Sequence, residues 1–280
     1  MAVHAHPDDE ASSTGGVLAR YADEGIRTVV VTCTNGEFGD GPAGIKPGQD
    51  GHDTADVAQT RLAELREACK HLGVAELELL GYHDSGMPDW EYRHNPDAFC
   101  NVPLEESAGR IAGLIERYRP QVVITYDPDG AYQHPDHVHA ARSAIAAVER
   151  TGIPAKLYLA AMRGSTWQKI FAALREAGED VPEWEVTDEE ARQAAESEAR
   201  INTEVDITPV LDRKRAALLA HASQITDDSW FSKIPPEVAA DAFGHETFIK
   251  VMDKTGADPG AGSVPAPGSV LESDLFAGLR

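Results

Sequence analysis

The chain has 280 residues, 42% of them apolar, enough to close a full hydrophobic core as one large α/β domain or two smaller ones. Its 47 acidic against 25 basic residues give a formal charge of -22, a surface that repels nucleic-acid phosphates and anionic lipid and so argues against both as partners. No window reaches the roughly 18 to 20 apolar residues of a membrane span, and Cys33, Cys69 and Cys100 lack the close paired spacing of a disulfide framework, so a reducing, cytoplasmic setting is expected.

Residues 2–5 read as a short strand entering a turn at His6-Pro7-Asp8-Asp9. A helix is expected over 12–24, capped by Ser12 or Ser13 and ended by Gly25. Ile26 to Thr32 is rich in β-branched residues and reads as a buried strand, so the chain opens as strand–helix–strand, the start of a parallel α/β sheet. The glycine-rich stretch from Asn35 to Asp53 is a long loop at the end of the second strand, where pocket walls are usually built. A helix over 54–72, a strand over 76–80, loops over 81–103, a helix over 104–118 and a strand over 122–126 follow. After the turn formers of 127–133 a helix begins near Pro135, a residue well suited to a first turn, and runs to Arg150. Beyond it come a strand over 155–161, helices over 165–177 and 188–199, an edge strand over 201–207 and the end of a helix over 214–224, with the aromatic pair Trp230 and Phe231 after it. The folded body is expected over 1–253, with 155–253 as a C-terminal subregion, and the Gly-, Ala-, Pro- and Ser-rich stretch opening 254–280 reads as a flexible tail.

Two segments carry chemistry. His6-Pro7-Asp8-Asp9-Glu10 and His134-Pro135-Asp136-His137 each follow an apolar strand, at the carboxyl end where parallel sheets place their sites. Imidazole nitrogen and carboxylate oxygen both suit zinc, and a catalytic site uses three protein ligands with one position left for water. Either cluster alone reads equally well as a solvated turn; two similar clusters at two strand ends point to one shared metal site. His134 and His137 lie three apart, on one side of a first helical turn whose positive end favours the neutral, ligating imidazole. The spacing does not decide which of Asp8 and Asp9 binds metal; the other is free to act as general base.

These motifs resemble the zinc-dependent N-acetylglucosaminyl deacetylases of the PIG-L and LmbE type, which include the actinobacterial mycothiol-pathway deacetylase and the mycothiol S-conjugate amidase. The resemblance spans most of 1–252 and is strongest at His6 to Glu10 and Tyr132 to His137. It implies a Rossmann-like, mostly parallel sheet flanked by helices, with a variable C-terminal region. It further implies His6, Asp9 and His137 as zinc ligands, Asp8 as general base, and His134 as oxyanion stabiliser in imidazolium form that also helps to protonate the amine. Asp136 would orient a histidine and Tyr132 would reach the reacting carbonyl. Arg61, Asp84, His221 and Gln224 match family positions that serve the substrate, and Glu10 a structural one. The expected partner is a small amino-sugar substrate and the expected reaction its N-deacetylation, with zinc or another divalent transition metal as cofactor; monomer and homo-oligomer both stay open.

Residues 11–16 lack the lysine associated with the amidase branch, and the stretch from Tyr92 to Val102 is unlike the pattern, so the resemblance implies an N-acetyl sugar deacetylase and not one pathway; cleavage of a larger amide is the nearest alternative. A metal-pocket protein without catalysis fits less well, since base and oxyanion groups are both present. A nucleotide-binding fold would need a glycine fingerprint where His6 to Glu10 stands.

Overall fold

A computed structural model describes residues 1–129, 133–179, 187–226, 229, 233–256, 261–266 and 268–280. Strand β1 (Ala2–His4) leads directly into helix α1 (Asp9–Asp23); β2 (Val29–Thr34), α2 (Thr54–Leu72), β3 (Glu76–Tyr82), α3 (Leu104–Tyr118), β4 (Val122–Tyr126), α4 (Pro135–Thr151) and β5 (Lys156–Ala161) follow in alternation. The C-terminal part adds α5 (Gly164–Glu176), α6 (Asp188–Ala199), β6 (Thr203–Asp206), α7 (Leu211–Ala220), α8 (Pro236–Phe243) and β7 (His245–Asp253).

Among the described residues the strands form one sheet in the order β3-β2-β1-β4-β5-β7-β6. The first five run parallel, and β7 is antiparallel to both β5 and β6. Both faces are covered. Ala2 and Val30 face a core with α1, α2 and α7, while Val3 and Val31 face one with α3 and α4. Strands buried on both sides need apolar residues at nearly every position, which explains the unbroken Val29-Val30-Val31 run. The chain winds outward from β1 through β2 to β3, then returns to lay β4 and β5 on the other side of β1. The reversal falls between β1 and β4, the position where α/β sheets of this kind place their sites.

Three sequence expectations are corrected. Helix α1 starts at Asp9, not at Ser12, because Asp8 takes a left-handed turn (φ 112°) that sends the chain straight into the helix. Elements α8 and β7 were not expected. The alternation of β7 is broken by Lys250, which is 1% exposed, and Lys156 of β5 is fully buried beside it. The end of the expected flexible tail explains both. Glu272 lies 2.8 Å from Lys156 and 3.3 Å from Lys250 and accepts from the Tyr158 hydroxyl at 2.7 Å, while Leu275 is fully buried. Residues 272–275 therefore dock on the body.

Removing one side of a buried ion pair leaves an uncompensated charge, so Glu272→Ala should destabilise the fold by about 3 kcal/mol. A urea titration reads this directly; an unchanged midpoint would mean that the two lysines do not depend on the docked segment.

A candidate metal and catalytic site

The two His-Pro-Asp segments emerge from β1 and β4, the strands that flank the reversal, and their side chains converge although some 130 residues separate them. His6 Nδ1 lies 3.2 Å from His137 Nε2. Asp9 Oδ1 lies 3.3 Å from His137 Nε2, and Asp9 Oδ2 lies 3.4 Å from His6 Nδ1. Ligand atoms about 2.0–2.1 Å from a tetrahedral zinc stand about 3.3 Å apart; the His6–His137 pair has that spacing, and Asp9 meets the two rings through different oxygens.

On its other side, His6 Nε2 faces Asp136 Oδ2 at 3.3 Å and Asp84 Oδ1 at 3.5 Å. The imidazole thus turns one nitrogen toward His137 and Asp9 and the other toward two carboxylates. A carboxylate behind a ligating histidine fixes its tautomer and strengthens it as a donor. Asp136 is anchored in turn by the Ser85 amide at 2.8 Å, and Asp84 by the Gly86 amide at 2.8 Å.

Two trios of donors can be drawn within 4.8 Å among the described residues: His6, His134 and His137, or His6, Asp84 and Asp136. The hydrogen bonds argue against His134 as a ligand. Its Nδ1 accepts from the Asp136 amide at 3.2 Å, so the ring proton sits on Nε2. Burial, with the nearby His6 and His137, lowers its pKa to about 4. His134 is therefore a neutral N–H donor, and the imidazolium form is not supported.

The electrostatics call for a cation. Burial opposes charge on His6, but Asp84 and hydrogen bonds with Asp136, Asp84 and Asp9 hold its pKa well above the ordinary value. Burial likewise opposes charge on Asp9, yet His137 and His6 keep it well below the carboxylate range. Asp136 Oδ1 is buried with no hydrogen-bond partner. The chain thus holds a His/Asp cluster able to coordinate a divalent metal such as Zn2+.

Asp8 sits beside this cluster on a side chain 31% exposed, in the left-handed region that Asp tolerates better than most residues. Burial, then the neighbouring Asp9, raises its pKa against the opposing pull of Arg61. Its backbone is held from two directions. Its amide donates to Glu10 Oε2 at 3.0 Å, and Glu10 Oε1 meets His221 Nε2 at 2.8 Å. Arg61 donates to Asp8 Oδ2 at 2.9 Å and to the carbonyls of Pro7 and Gly36 at 2.6 and 2.7 Å. Gly36 (φ 65°) passes so close to that guanidinium that a Cβ would collide with it.

The residues expected to serve the substrate stand mostly behind the site. His221 is fully buried, and its contact is Glu10. Gln224 clamps the loop after β2, accepting from the Asp40 amide at 3.1 Å and donating to the Asp40 carbonyl at 2.9 Å. For these two the contacts are those of supports, one of the two roles that the motif left open. Arg61 and Asp84 are 4% and 5% exposed and hold Asp8 and His6. Tyr132, with Trp230 and Phe231, lies outside the described residues.

Two residues went unnoticed in the sequence. The Tyr126 hydroxyl, at the end of β4, accepts from the Ala5 amide and donates to Asp9 Oδ2, both at 2.7 Å, and its ring stacks on His137 with centroids 4.2 Å apart. Its only signal was an aromatic residue ending a strand. Glu37 is 6% exposed on the loop after β2; His83 lies 2.7 Å from its Oε1, and its Oε2 has no partner. Tyr126→Phe should weaken metal binding about 10- to 100-fold, the usual effect of losing a group behind a ligand. Chelator competition measures this, and an unchanged affinity would remove Tyr126 from the site.

The family model "PIG-L: GlcNAc-PI de-N-acetylase" matches residues 1–148. A 1D-myo-inositol 2-acetamido-2-deoxy-alpha-D-glucopyranoside deacetylase of Acidothermus cellulolyticus is 38% identical over 284 residues, covering 100% of this chain and 94% of the relative. The Mycobacteroides abscessus protein of the same name is 38% identical over 288 residues, covering 100% and 98%. In fold, the chain resembles the N,N'-diacetylchitobiose deacetylase of Pyrococcus horikoshii (TM-score 0.59, 19% identity, 89% and 82% covered). It resembles GalB, a 4-carboxy-2-hydroxymuconate hydratase of Pseudomonas putida, to the same degree (TM-score 0.59, 19% identity, 90% and 95% covered), so the architecture alone does not name the reaction. The family match and the full-length relatives do place it: the chain belongs to the PIG-L family of de-N-acetylases.

Proposed function

We infer that this protein is a metal-dependent hydrolase that removes the acetyl group from an N-acetylglucosamine-type amino sugar, leaving acetate and a free amine. The observation that carries this is the Asp8 carboxylate, held by Arg61 while the Asp8 amide donates to Glu10, set beside a cluster able to hold a divalent ion. His6, Asp9 and His137 would hold the ion. When bound, it supplies Lewis acidity and brings the pKa of water toward neutrality.

Asp8 takes the proton of the attacking water as that water adds to the acetamide carbon. Its raised pKa suits the task, since a base nearer the working pH both accepts and returns a proton. His134 offers its Nε2–H to the carbonyl oxygen as negative charge develops there. The imidazole is already fixed through Nδ1, so it needs no reorganisation at the moment of reaction. The proton held by Asp8 then passes to the departing nitrogen as the C–N bond breaks. Asp84 and Asp136 keep His6 in its ligating orientation.

The inositol-linked N-acetylglucosamine in the relatives' names is the first substrate to test, with acetate release as the readout. Acetate from this substrate or a simpler N-acetylglucosaminide supports the proposal. Turnover confined to a larger thiol-sugar amide would favour the amidase alternative, and no amide cleavage by the metal-loaded protein would reject both.

A further inference from the structure

The turn that carries the base needs support from outside itself. Among the described residues only Asp8 and Arg119 combine a side chain with a positive φ. Arg119 ends α3, its amide closing on the Ile115 carbonyl at 2.8 Å. Asp8 instead opens α1 at φ 112° and ψ -26°, and its own side chain makes no cap bond there. Backbone of this kind persists only where its surroundings hold it. Arg61 fixes the Asp8 carboxylate and the Pro7 carbonyl, which leaves the Asp8 amide to Glu10 Oε2 at 3.0 Å.

Glu10 is fixed in turn from the far end of the chain. It is fully buried, and its Oε1 meets His221 Nε2 at 2.8 Å. A carboxylate only accepts, so Nε2 carries the proton and donates. His221 Nδ1 is buried with no hydrogen-bond partner, so the bond to Glu10 is what orients the ring. The backbone of His221 is anchored as well. It follows α7 directly, and its carbonyl accepts from the Gln224 and Ile225 amides at 2.9 and 2.8 Å. Two residues on, the Ser223 amide and hydroxyl both bond Glu64 of α2 at 2.7 Å. Ala217 and Leu218 of α7 are buried in the core shared with α1 and α2.

We propose that His221 is a positioning residue for the reaction: through Glu10 it fixes the Asp8 peptide and so aims the carboxylate at the attacking water. The C-terminal region then sets the rate without touching substrate or metal. The inference rests on the deacetylase function proposed above, in which Asp8 is the base. A buried His–Glu pair can also do no more than stabilise a fold, and the test separates the two roles.

In zinc-loaded His221→Leu, kcat for acetate release should fall about 10- to 100-fold, the scale of misplacing a reacting group by about an ångström or less, while KM and zinc stoichiometry stay. His221→Gln keeps a donor for Glu10 and should recover most of the loss. In an Asp8→Asn background, His221→Leu should change the residual turnover by less than about twofold, because no base is left to aim. A loss of the same factor in both backgrounds, or a lower Tm with kcat intact, would overturn the proposal. Should His221→Leu fail to fold, Glu10→Gln leaves one acceptor oxygen for two donors and should show the same dependence on Asp8. Amide hydrogen exchange adds a readout free of substrate: the Asp8 amide should lose protection in His221→Leu or Glu10→Gln. Unchanged protection would overturn the proposal even if the protein acted on some other amide. Lost protection in a protein whose unaltered form releases no acetate would instead count against the function proposed above.

Discussion

Asp8→Asn should lower turnover about 10²- to 10⁴-fold, the usual contribution of a positioned general base, while bound zinc stays at its original stoichiometry. Asn keeps the size of the side chain and tolerates the left-handed backbone that Asp8 occupies, so the substitution removes the proton acceptor without forcing the turn to change. Arg61 keeps its bonds to the Pro7 and Gly36 carbonyls, which hold that side of the site in place. The pH profile supplies a second signature. A base works deprotonated, so turnover should fall on the acid side as Asp8, whose pKa burial raises above the ordinary value, takes up its proton. That limb should vanish in Asp8→Asn. Loss of zinc together with activity would mean that Asp8 ligates the ion.

His137→Ala should release the metal and, with it, the activity. A metal bound only by the folded chain stabilises it by mass action, about 2.7 kcal/mol when free zinc exceeds Kd a hundredfold, or roughly 5–10 °C in Tm for a chain of this size. A chelator should therefore lower the Tm of the unaltered protein toward that of His137→Ala and leave the variant's own Tm unmoved. A variant that keeps zinc and melts with the unaltered protein would show that the ion sits elsewhere, with His6, Asp84 and Asp136 as the other trio the described residues offer.

The parts of this site legible in the sequence are those written locally. His6 to Asp9 and His134 to His137 are short runs after apolar strands, and the sheet order brings them together because β1 and β4 are neighbours at the reversal. The parallel body was legible for a similar reason: each strand and helix carries its own period and its own glycine or proline punctuation. What was not legible depends on contacts between distant segments. Tyr126 meets Ala5 and Asp9 across the sheet, and Glu10 meets His221 across 211 positions. Strand β7 was hidden by Lys250, a residue that reads as surface until Asp253 and Glu272 are seen beside it. The start of α1 was misplaced because Ser12 and Ser13 have the chemistry of caps, whereas the chain enters the helix through the backbone turn at Asp8.

The most direct test is a crystal structure of the zinc-loaded protein with anomalous diffraction recorded at the zinc edge. One strong peak is expected, about 2.0–2.2 Å from His6 Nδ1, His137 Nε2 and an Asp9 carboxylate oxygen, with the Asp8 carboxylate outside the coordination shell. A peak between His6 Nε2, Asp84 and Asp136, or no peak beside His6, would contradict it.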